Sequence, residues 1–258
     1  MNSALNLLRH ALGLVTQRPL KTAAVVAPAL VLMCGVGLST AVLAPELLTL
    51  DPAHPDLETI KSAELSLALL IAFILSYAMM AILWHRYTLK DSHLPLPMCT
   101  QLVFGYLWRV FAIALIQLVA GVALVMPLVA LGNIGSGAAT NPAMVSMLLT
   151  TFVTQLLLMW LSLRLSLILP AAALGRPISL HQSWTATGPI SRSLWGVAAA
   201  LALINTALSA LIALFGLTRP SHALALELPI YIIEGLLIFS VLTTLYSRQI
   251  QNKEIGQP

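Results

Sequence analysis

Residues 63–84 read Ala63-ELSLALLIAFILSYAMMAIL-Trp84, with no charge between Glu64 and the Arg86 that follows. Apolar residues cover every face of a helix drawn over this stretch, and the alternation that a half-buried strand needs is missing. About 20 such residues, at roughly 1.5 Å of rise each, cross the roughly 30 Å of hydrocarbon in a bilayer. Comparable runs lie at Thr22 to Leu43, Val110 to Leu131, Ala143 to Leu163, Leu194 to Leu217 and Leu224 to Tyr246, each bounded by charge, Pro or Gly. The chain as a whole agrees: of 258 residues 59% are hydrophobic and only 9% charged, too few polar groups to cover a soluble globule. Long unbroken runs also exclude an outer-membrane barrel, whose strands alternate. The sequence predicts an all-α integral membrane protein with six transmembrane helices in a single domain, residues 1–258.

Lys and Arg in the short flanks set the orientation. With the N-terminus inside, Arg9, Arg18, Lys21, Arg86, Lys90, Arg109, Arg164, Arg176, Arg192, Arg248 and Lys253 fall inside, and only Lys61 and Arg219 fall outside. Both termini are therefore expected in the cytoplasm. The first outer connection instead carries Glu46, Asp51, Asp56 and Glu58, broken by Pro45, Pro52 and Pro55. Met1 to Lys21 and the run after it could pass for a signal peptide. That run is too long for a signal core and Pro45 disfavours cleavage, so the first span is expected to stay.

A common plan recurs three times: a weakly amphipathic stretch, a basic or aromatic anchor, an outward span, and a return span ending at arginine. The copies occupy about 1–92, 93–175 and 176–258, and their closing residues Arg86, Arg164 and Arg248 lie 78 and 84 residues apart. Each unit is a helical hairpin, so the copies are expected to be parallel repeats about an axis along the membrane normal. The stretch before each outward span reads as an interfacial helix. In Ser3 to Thr16, Leu5, Leu8, Leu12 and Val15 oppose Asn6, Arg9, His10 and Gln17, as an in-plane helix requires. Ser179 to Thr187 is a shorter one, with Ser179 as its cap and Gly188-Pro189 as its end.

Arg164-LSLIL-Pro170, Leu174-Gly175, Pro177, Ser183-Trp184 and Trp195 resemble the signature of bacterial multi-span proteins related to the membrane domain of glycerophosphodiester phosphodiesterases. Trp84-His85-Arg86 resembles an earlier copy of it. The likeness covers most of the chain in layout and is sharp in residues from Arg164 to Trp195. It implies a module of the bacterial inner membrane without phosphodiesterase activity, since the catalytic barrel of those enzymes is a separate soluble domain that nothing here encodes. No functional residues follow from it.

Polar groups at mid-bilayer cost most, so each requires a reason. Counting along the spans places Gln117, Gln155, Asn205 and Glu234 near mid-depth, one on each of the last four. They could form a polar layer in which Glu234 is a proton or cation site, or they could be interhelical clamps worth roughly 0.6 to 2 kcal/mol each. No second intramembrane acid completes a relay, because Glu227 lies near the outer end and Glu64 starts the second span; that favours clamps. Arg86, Arg109, Arg164, Arg176 and Arg192 fall at similar depth on the inner side and are candidate contacts for lipid phosphate, a placement that the positive-inside rule alone would also produce. In the fifth span Ala198, Ala202, Thr206 and Ala210 make a small-residue face suited to close packing within the bundle.

Cys34 and Cys99 have neither metal spacing nor a persuasive pairing, and the histidines are scattered, with His85 reading as a structural interfacial residue. There is no phosphate-binding glycine loop, nucleophile elbow or catalytic carboxylate pair, so neither an enzyme nor a metal or other cofactor is expected. Topology explains the net charge of +4, which therefore does not imply nucleic acid. Two functions compete. One is an accessory or scaffold bundle that holds anionic lipids, a membrane-protein partner or a second copy of itself. The other is a small permease or channel lined by Glu234 and the amides. A third, a head-group enzyme, would have only Asp91 beside His93 to work with.

Overall fold

The computed structural model describes residues 4–45, 63–89, 100–132, 142–214 and 220–251, and among these there is no strand. The helices are α1 (Ala4–Thr16), α2 (Pro19–Leu43), α3 (Ala63–Leu89), α4 (Thr100–Gly132), α5 (Pro142–Leu165), α6 (Ile168–Ala173), α7 (Leu180–Thr187), α8 (Ser191–Leu214) and α9 (Pro220–Tyr246). Four stretches are long and apolar enough to cross a membrane: Pro19–Leu43, Ala63–Leu89, Thr100–Leu124 and Leu180–Ala207. The expected outer connections, with Lys61, Arg219 and the glycine cluster after Gly132, lie outside the described residues, as do Cys99, Asp91, His93 and the side chains of Glu227 and Tyr231.

Pro19 opens α2, where its fixed φ suits a first turn and its missing N–H is not needed. α2 and α4 run on through Pro28 and Pro127. Packing joins α2 to α3 and α4 to α5, as sequential hairpins would, but also α5 to α8, α3 to α9 and α1 to α9. One core forms where α1, α5, α8 and α9 meet around Leu7, Leu163, Leu194 and Leu242. A second forms where α2, α3, α4, α6 and α9 meet around Met80, Trp84, Tyr106 and Phe239. The small face of α8 is used internally: Ala198 and Ala202 are fully buried.

The stretches expected to be interfacial helices differ from one another. α1 is docked into the bundle by Leu7 and Ala11, both buried, while Leu5 and Leu12 of the predicted apolar stripe are exposed. Its apolar surface is wide enough to serve two neighbours. The seat is Gly196 of α8, where a Cβ would come within 2.5 Å of Ala4 Cβ. Gly196→Leu is therefore expected to displace α1 at a cost of about 1 to 3 kcal/mol, read as faster amide exchange along Ala4–Thr16; unchanged exchange would show that α1 does not depend on this seat. In the second expected unit, among the described residues, the stretch before the span is not a separate helix but the start of α4, which is continuous over its 33 residues. In the third, Ser179 caps α7 in a reciprocal box with Gln182: its Oγ accepts from Gln182 N at 3.1 Å and its N donates to Gln182 Oε1 at 2.8 Å. A short 3₁₀ turn at Gly188–Ile190 then leads into α8.

After Arg164 the chain leaves α5, which ends at Leu165, close to the expected span end at Leu163. It turns at Ser166 and Leu167 and enters the core as α6, with Ile168, Ala171 and Ala173 buried. Gly175 closes α6 at φ +74, a conformation open to glycine, while its N–H bonds the Ala172 carbonyl and that of Arg176 bonds the Ala171 carbonyl.

Candidate functional site at the arginine end of the bundle

Arg164 organises the end of the bundle where α5 stops and α8 starts. It lies in the last turn of α5 and is 7% exposed. Its guanidinium donates from Nε to Thr187 Oγ1 (3.0 Å), from Nη1 to Ser191 Oγ (3.4 Å) and from Nη2 to the Trp184 carbonyl (2.7 Å). All three partners are neutral. Its Cζ sits 3.8 Å from the centroid of the Trp184 ring and 5.5 Å from that of Trp160. Trp160 stacks in turn on Trp195 at 4.8 Å, so α5, α7 and α8 each contribute one tryptophan to the cluster. The Arg164 carbonyl, left without an intrahelical donor as α5 ends, accepts from Ser183 Oγ at 2.8 Å. Ser183, Thr187 and Ser191 recur every four residues, and this spacing brings three hydroxyls to one arginine. Arg164, expected among the lipid-facing arginines, thus spends its donors inside the protein. Of the other four, Arg86 and Arg109 are half-buried and Arg176 and Arg192 exposed.

Of the four polar residues expected at mid-depth, Asn205 and Glu234 are hydrogen-bonded to each other. Asn205 Nδ2 on α8 donates to Glu234 Oε1 on α9 at 2.9 Å, and Glu234 is buried. Gln117 on α4 instead reaches the Leu158 carbonyl of α5 at 3.5 Å, and Gln155 is half-buried on α5. Next to Glu234, the Tyr77 hydroxyl of α3 occupies the place a side chain at Gly235 would take.

A polar seam between α3 and α9 went unread in the sequence. Trp84 Nε1 donates to Ser240 Oγ at 3.0 Å, and His85 Nδ1 pairs with Thr243 Oγ1 at 3.0 Å, which Thr88 also approaches at 3.4 Å. The matching signal is present: Trp84, His85 and Thr88 on one helix face Ser240 and Thr243 on the other, each set at helical spacing. His85, expected at the interface, is fully buried against the rings of Tyr106 and Phe239.

At the same end, a cavity of about 330 Å³ is lined by Gln101, Gly105 and Arg109 of α4 and by Ala172, Gly175 and Pro177 of α6 and the turn after it. None of the four mid-depth residues borders it. Compared with known protein families, curated proteins and solved structures, the chain matches none.

Proposed function

We propose that this chain is an accessory protein of the bacterial inner membrane, a six-span bundle that holds anionic lipid, and through it or beside it a membrane-protein partner, at a basic cytoplasmic face. Six spans follow if α5 and α9 join the four apolar stretches: their 24 and 27 residues correspond to about 36 and 40 Å of helix. The observation that carries the reading is how the mid-depth polar groups are spent. Asn205 with Glu234, and Gln117 with the Leu158 carbonyl, tie helices together, as clamps do, whereas a permeation path needs such groups to line a wet cavity. Arginines gather instead at one end, where a bidentate guanidinium suits lipid phosphate. These pairings support the accessory reading over the permease reading, and no reaction is assigned to the chain.

The test is extraction in native lipid discs followed by mass spectrometry of what co-purifies. An anionic phospholipid or a protein partner at defined stoichiometry is the expected result; finding neither overturns the reading. Glu234→Gln provides a second check. Glutamine retains a carbonyl that can accept from Asn205, so lipid retention and thermal stability are expected to change little. A solute or proton flux in proteoliposomes that this substitution abolishes would establish the permease instead.

A further inference from the structure

We infer that the cavity between α4 and α6 is a specific seat for the phosphodiester of an anionic phospholipid, with Arg109 and Gln101 as its donors. This rests on the lipid-binding reading above and adds to it a single site. Arg109 uses one of its five N–H groups on its own helix, Nη1 to the Gly105 carbonyl at 2.6 Å, and has no other hydrogen-bond partner among the described residues. It is half-buried and borders a space of about 330 Å³ together with the exposed Gln101. A phosphate group needs charged, forked donors in a partly desolvated recess, which is what this arrangement offers.

Two glycines border the recess. At Gly105 a Cβ would meet Arg109 Nη1 at 3.5 Å, ordinary contact, so the missing side chain leaves room rather than relieving a clash. Gly175 has nothing within 4 Å of its Cβ position.

A soluble phosphate would satisfy the recess alone; the neighbouring face of α4 favours a lipid. Phe104, Trp108 and Phe111, spaced at four and three residues, are 72%, 62% and 58% exposed, and the rings of Trp108 and Phe111 stack at 5.9 Å. Polar recess and aromatic stripe occupy the same turns of one helix, and exposed aromatic rings of this kind favour the membrane interface, the depth at which lipid phosphates lie.

The experiment uses the full chain in discs of phosphatidylcholine doped with phosphatidylglycerol, with bound lipid counted by native mass spectrometry. One tightly held phosphatidylglycerol is expected. Arg109→Gln should lower its occupancy about tenfold by removing the charged fork, and Gly105→Leu should do the same by filling the recess while favouring the helix. Arg9→Gln, an exposed arginine on α1, should leave it unchanged. Melting temperatures of the variants near that of the unmodified chain show that folding is intact; a variant that melts early is replaced by Gln101→Leu. Equal losses from Arg9→Gln and Arg109→Gln would overturn the seat but leave the basic face as a diffuse lipid binder. Phosphatidylglycerol retained at no site would overturn both readings. Inorganic phosphate that binds in discs of phosphatidylcholine alone, with Arg109→Gln abolishing it and no phosphatidylglycerol held, would make the recess a soluble-anion site and overturn the lipid assignment.

Discussion

Arg164→Ala is expected to destabilise the folded chain by about 3 to 5 kcal/mol, near the upper end of single-residue effects. Three hydrogen bonds from one charged group are lost together, and so is its contact with the Trp184 ring. Relief of burying the charge offsets part of this, which is why the sum falls below three full charged bonds. Arg164→Lys should recover less than half, because an ammonium on a flexible stem cannot reach Thr187, Ser191 and the Trp184 carbonyl from one plane. Unfolding by graded detergent, followed by near-ultraviolet circular dichroism, reads both stability and the Trp160–Trp195 stack. A lysine variant as stable as the original would mean that charge alone, and not the fork, holds α5, α7 and α8 together.

Trp84→Ala is expected to cost a similar amount, about 3 to 5 kcal/mol. Its side chain is fully buried between α3 and α9, and lipid cannot fill the cavity left behind. The hydrogen bond to Ser240 is a separable part. Ser240 Oγ accepts from Trp84 Nε1 at 3.0 Å while donating to the Leu236 carbonyl at 2.7 Å. Ser240→Ala therefore strands a buried indole N–H at a cost of about 1 to 3 kcal/mol, whereas the same change beside Trp84→Phe should cost less. A double-mutant cycle is expected to give a coupling of about 0.6 to 1.7 kcal/mol, the range of hydrogen bonds within membranes. Strict additivity would remove the bond from the account of how this seam is held.

The sequence and the structure part company at particular residues, each for a physical reason. Glu234 and Asn205 were legible as costly polar groups because a 3.6-residue period and 1.5 Å of rise place them at mid-depth without tertiary information. That they would meet at 2.9 Å, and that Gln117 would turn to a carbonyl of α5 instead, depends on helix rotations that the all-round apolar spans leave open. Arg164 reads as a contact for lipid phosphate because it follows an apolar span on the inner side. Its partners Thr187 of α7 and Ser191 of α8 lie 23 and 27 residues away, on two helices whose docking no local pattern specifies.

By itself the sequence determined the all-helical class, the apolar stretches and the Ser179 cap, all of which depend on local composition, period and turn chemistry. Only the tertiary structure decided that α1 enters the core through Leu7 and Ala11, that α6 folds back beneath α4, and that Gly105, Gly175 and Arg109 border one recess. The reason is that an apolar helix carries little azimuthal information: nearly every face could be buried. Single glycines, serines and the fork of one arginine choose among these packings, and they act only once distant segments meet.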